Sequence, residues 1–94
     1  MLALVEDADR GVQKQAIRSL RHHALTDADF VALSQTVARG TLHHTNIRPA
    51  LELAKMFRQT LPTGTTRLID ALIAAGIPDN KELAAAHRLR TWVP

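Results

Sequence analysis

Asp9-Arg10-Gly11-Val12-Gln13-Lys14-Gln15-Ala16-Ile17-Arg18-Ser19-Leu20 is the stretch on which the fold turns. Val12, Ala16, Ile17, Leu20 and then Ala24 recur at intervals of three and four residues. That spacing puts them on one face of a helix spanning 9–24, with Asp9 as N-cap. The same period returns down the chain. Phe30, Leu33, Val37 and Ala38 predict a helix over 27–39. Thr26 with Asp29 three residues on gives that helix a capping box, and Gly40 stops it. Ile47, Ala50, Leu51, Ala54, Phe57 and Leu61 predict a third over 46–60, with Pro49 in the first turn, where a missing N–H is tolerated. Pro62-Thr63-Gly64 reads as a break. Leu68, Ile69, Leu72 and Ile73 follow in a helix over 65–76, ended by Gly76. Asp79 and Glu82 open the last, 79–92, which carries Leu83, Ala86 and Leu89 inward. No segment alternates with period two, so the expected fold class is all-α.

The second helices of successive pairs share a register. Lys14, Arg48 and Lys81 are 34 and then 33 residues apart, as are Arg21, Lys55 and Arg88, and Ala16, Ala50 and Leu83 follow on the inward side. A period in the mid-thirties is what stacked antiparallel helix pairs produce, because one pair cannot bury its apolar stripe alone. Residues 1–6 read as the end of one more helix. The chain is then about two and a half pairs in a right-handed array, a single helical-repeat domain over 1–94. On this reading it is either a fragment of a longer repeat protein or a chain that self-associates through its N-terminal helix edge. A compact five-helix bundle is the alternative architecture.

Asp7-x-Asp9-x-x-Val12-Gln13-x-x-Ala16-Ile17-x-x-Leu20 resembles the turn and second helix of a HEAT repeat, with Gln13 where that family usually has arginine. Ile47-Arg48-x-x-Leu51 echoes it with His43, His44 and Asn46 in the turn, and Asp79-Asn80-Lys81-Glu82-Leu83 keeps an acid but lacks the Val-Arg pair. The resemblance implies a short HEAT-like, armadillo-like α-solenoid. It further implies a scaffold that binds proteins, or less often nucleic acid, with no enzymatic residues.

Composition narrows the chemistry. Hydrophobic residues make up 46% of the 94 residues and charged residues 22%, a balance that builds a core rather than a disordered tail. With no cysteine, disulfides, cysteine-ligated metals and thiol catalysis are excluded, and a reducing, cytoplasmic setting is expected. No apolar run is long enough for a membrane helix, and no signal peptide is legible at the N-terminus. His22-His23 and His43-His44 are the tempting metal ligands. A helix of about 13 residues between the pairs separates them by roughly 20 Å, so one chain cannot close a site. A solvated helix end and a polar turn explain them. Asp7 with Asp9, and Asp27 with Asp29, stand at helix starts, where capping accounts for the carboxylates. Ser19 and Ser34 lack a nucleophile elbow, and Pro62-Thr63-Gly64-Thr65-Thr66 lacks the lysine of a phosphate loop. Neither an enzyme, a cofactor nor a metal is expected.

The basic residues carry the functional expectation. Lysine and arginine number 12 against 9 acids, a net charge of +3. Lys14, Arg18 and Arg21 form one stripe, Arg48, Lys55 and Arg58 a second, Lys81 and Arg88 a third, with Glu52 interrupting the second. Side by side on the outer surface of the second helices, they form a ladder. An ordinary solvated face accounts for the ladder, with Glu52 spaced to pair with Arg48 and Lys55; an acidic protein partner fits it too, as does a nucleic-acid backbone. With three aromatic residues, two of them inward, base stacking is poorly served. Trp92, at the end of the last helix, is a partner anchor or a cap on the final pair. The reading is a non-catalytic protein-interaction or scaffold module, with nucleic-acid backbone binding as the alternative.

Overall fold

The structure, a computed structural model, describes residues 9–93. The helix read at residues 1–6 lies outside them. The described residues fold as five α-helices without a strand: α1 (Arg10–Leu20), α2 (Asp27–Ala38), α3 (Ile47–Met56), α4 (Pro62–Ala75) and α5 (Asn80–Trp92). A 3₁₀ turn, His44–Asn46, leads into α3. No helix among them is long and apolar enough to cross a membrane.

The starts and stops follow local chemistry. Asp9 accepts hydrogen bonds from the Gly11 and Val12 amides at 2.8 and 3.0 Å, satisfying two donors of the first turn of α1. Thr26 and Asp29 form a reciprocal capping box on α2. Asp79 accepts from the Glu82 amide at 2.9 Å on α5. Gly40 (φ 77°) and Gly76 (φ 93°) leave α2 and α4 through the left-handed region, which glycine enters at no steric cost.

Three boundaries differ from the sequence reading. The first helix ends at Leu20 rather than Ala24, because residues 21–24 are all exposed and have no packing to offset the cost of ordering them. The third ends at Met56 rather than near 60. The Phe57 carbonyl there accepts from the Leu61 amide at 2.8 Å and the buried Thr65 hydroxyl at 3.2 Å, drawing the chain into the next helix. Pro62-Thr63-Gly64 is no break but the first turn of α4, with Pro62 where its absent N–H is not needed. Gly64 is glycine for a tertiary reason. A Cβ there would lie 2.6 Å from the Phe30 Cβ, so α4 crosses α2 at a distance only a hydrogen allows.

The helices form two layers. α1 packs on α3 and α3 on α5, while α2 packs on α4, each helix meeting the second one along. The slab measures 32 × 30 × 19 Å, and its thin dimension is that of two helix layers. Neighbours within a layer run parallel. Asn46, which leads into α3, reaches the Arg10 carbonyl in the first turn of α1 at 3.0 Å, and the Gly64 amide donates to Asp27 Oδ1 at 2.9 Å where α2 and α4 both begin. At their far ends Val37 and Gly40 share one cavity with Leu72, Ala75 and Gly76. Between α1 and α3 the 34-residue register sets buried on buried at Gln13/Ile47, Ala16/Ala50, Ile17/Leu51 and Leu20/Ala54. The layers meet through side chains, with Phe30 edge-on to Phe57 at 5.6 Å between centroids.

Two residues on α1 exchange their expected places. Val12, read as inward, is 41% exposed, whereas Gln13 is fully buried. Within its layer α1 has α3 on one side among the described residues, so the buried stripe narrows to Gln13, Ala16, Ile17 and Leu20 and leaves Val12 outside it. Gln13 holds the chain that connects the layers. Its Nε2 donates to the Thr41 carbonyl, and its Oε1 accepts from the His43 amide and from Asn46 Nδ2, all at 2.8 Å.

Candidate functional site

α3 and α5 lie side by side, but they diverge enough at the surface to leave a groove of about 440 Å³. Leu51 and Leu89, both more than nine-tenths buried, form its floor with the exposed Ala85. Arg48, Glu52 and Lys55 line the α3 side at intervals of four and three residues, the spacing that puts them on one face. Lys81, Glu82, Arg88 and Trp92 line the α5 side, and Asp79 stands at its head. The site therefore pairs an apolar floor with a charged rim.

The rim charges are not equivalent. Glu52 faces Arg48 at 3.9 Å, a loose exposed i,i+4 pair. Asp79 is engaged as the N-cap of α5. Glu82 sits in the first turn of that helix, where the dipole favours a carboxylate. Lys55, Lys81 and Arg88 are exposed, and their side chains have no ion-pair or hydrogen-bond partner among the described residues. Four cations and three acids thus rim the apolar carbon, and the side chains of three of the cations are unpaired.

Trp92 closes the C-terminal end. It is 53% exposed, and the Arg58 guanidinium lies over its ring, 5.9 Å from the centroid. Arg58 is itself held by donating Nη1 to the Lys55 carbonyl at 3.0 Å, at the end of α3. The indole thus lies at the surface against the turn that follows α3.

Of the residues singled out in the sequence, the groove gathers Arg48, Lys55, Lys81, Arg88 and Trp92. Lys14 and Arg18 on α1, and Arg21 at its C-cap, do not line it. Arg18 and Arg21 are exposed and Lys14 is half-buried. The floor residues carried no functional signal, since Leu51 reads as core and Ala85 as nothing in particular. The histidine pairs remain apart from the groove. His22 and His23 are exposed beyond α1, whereas His43 and His44 stack at 4.6 Å, with His43 capping the 3₁₀ turn. Among the described residues, no three histidine or carboxylate side chains converge as metal ligands would.

Comparison of the chain with protein-family models, curated proteins and solved structures finds no match.

Proposed function

We propose that the chain is a non-catalytic protein-interaction module, a short HEAT-like array working in the cytoplasm, that receives a segment of a partner protein in the groove between α3 and α5. The observation that carries the reading is the coincidence, in one groove, of an apolar floor, cations with unpaired side chains and a half-exposed tryptophan. Interfaces concentrate their energy in such aromatic and arginine side chains around a desolvated centre. Nucleic-acid backbone binding is the weaker reading. A phosphate-binding track calls for an unbroken run of cations, whereas Glu52, Glu82 and Asp79 interrupt this one. Apolar carbon at the floor also offers phosphates nothing.

A titration of mixed-sequence DNA and RNA duplexes, read by fluorescence anisotropy at roughly 50 and 200 mM salt, separates the two. The expected result is no tight binding at the lower salt. Tight binding that falls by about 0.9 log units per log salt for each phosphate contact, and is lost in Lys55→Glu/Arg88→Glu, would overturn the protein reading in favour of nucleic acid.

A further inference from the structure

We infer that the occupant of the α3/α5 groove is an acidic amphipathic helix of about three turns, lying along α5 with its apolar stripe on Leu51, Ala85 and Leu89 and its carboxylates toward Lys55, Lys81 and Arg88. The inference rests on the groove reading above and names the chemistry of the partner.

Three features of the groove select this occupant. The first is the state of the walls. Both are α-helices, whose backbone N–H and C=O groups are bonded within the helix. They offer no edge to an extended peptide, which would need outside partners for its own main chain. A helical segment satisfies its backbone internally and asks the groove only for side-chain contact. The second is length. The lining of α5 runs from Lys81 to Trp92, which at 1.5 Å per residue is roughly 16 Å, the length of about 11 helical residues. Such a segment presents apolar side chains at i, i+3 or i+4, and i+7, enough to cover a floor of this extent. The third is charge. Cations outnumber acids four to three in the lining, and the side chains of Lys55, Lys81 and Arg88 are unpaired. Separate carboxylates on the flanks of the stripe can therefore meet them, where a continuous phosphate track would also meet the acids. Trp92, with Arg58 over its ring, then meets the end of the incoming helix.

The test is selection of a displayed library of random peptides of about 12 residues against the full chain, followed by synthesis of the enriched sequences. The expected winners carry apolar residues at helical spacing and an excess of Asp and Glu. They gain helicity by circular dichroism on binding, shift the emission of the single tryptophan, and lose at least tenfold in affinity for Lys55→Glu/Arg88→Glu. Those two residues are exposed, so an unchanged helical spectrum and melting temperature establish that the variant is folded. Winners that need the groove residues but are basic, or that are proline-containing and extended, would overturn the acidic-helix inference and leave the groove reading standing. No enrichment, or winners that bind the variant as well as the parent, would overturn both.

Discussion

The side-chain amide of Asn46 donates to Oε1 of Gln13 at 2.8 Å in the buried seam between α1 and α3. The same oxygen accepts the His43 amide, and Gln13 Nε2 reaches the Thr41 carbonyl, so one side chain orders the loop that carries the chain from α2 to α3. Gln13→Leu keeps much of the bulk, takes the partner from the His43 amide and the Thr41 carbonyl, and leaves Asn46 Nδ2 with the Arg10 carbonyl alone. A fully buried group so orphaned costs about 1–3 kcal/mol and one that water reaches costs less, so a total of roughly 2–4 kcal/mol is expected. Urea unfolding monitored by circular dichroism measures it, as a fall in midpoint with an unchanged slope.

Gly64→Ala places a methyl 2.6 Å from the Phe30 Cβ and 3.2 Å from the Asp27 Cα, atoms fixed by the backbone of α2, and 2.9 Å from Asp27 Oδ1. The expected loss is about 1–3 kcal/mol, the usual range for overpacking a tight contact. Gly40→Ala meets open space and is strained only by its φ of 77°, so about 1–2 kcal/mol is expected there. Urea unfolding of both variants checks the two losses, with Gly64→Ala expected to lose the more.

Arg90 Nε donates to Asp70 Oδ1 at 2.9 Å across α5 and α4, with both side chains substantially exposed. Screening by solvent limits such a pair to about 0–1 kcal/mol. Arg90→Ala is therefore expected to move the melting temperature little, and added salt should narrow the difference from the parent further. Thermal unfolding at two salt concentrations checks both.

Trp92→Ala removes a half-exposed ring and its contact with Arg58, worth about 0.5–1 kcal/mol at the surface. Its expected effect on stability is small, while its effect on partner binding is expected to be at least tenfold. A variant that unfolds before it loses binding would mark Trp92 as part of the core, contrary to its exposure. Melting temperature and affinity, measured on the same sample, distinguish the two.

The legible parts of the sequence were those set by neighbours in the chain. Asp9, the Thr26/Asp29 box, Gly40 and Gly76 all sit where local hydrogen bonding and backbone freedom demand them, and each is found there. The 34-residue register of α1 and α3 was visible because stacking imposes the same inward positions on both. Gly64 was misread for the converse reason. Locally a Pro-Thr-Gly run signals a turn, and only the approach of Phe30 from another helix explains why glycine is needed within α4. Gln13 escaped in the same way, since a polar residue on an amphipathic helix reads as outward unless its distant partners are known. The candidate site divides along this line. Helical spacing identified Arg48, Lys55, Lys81 and Arg88 as surface cations. That they surround an apolar floor with Trp92, and that Lys14, Arg18 and Arg21 do not, depends on how α3 and α5 diverge, which no local pattern encodes.

The central claim is that the α3/α5 groove holds a protein. A photo-crosslinking amino acid placed at Ala85, on the groove floor, tests it in an extract of the cells that make the protein, with the same group at the exposed Ala74 of α4 as control. The account predicts a discrete protein adduct from position 85 that survives nuclease, is absent from position 74, and disappears when Lys55 and Arg88 are changed to glutamate. Equal adducts from both positions, or a position-85 adduct that nuclease removes, would contradict it.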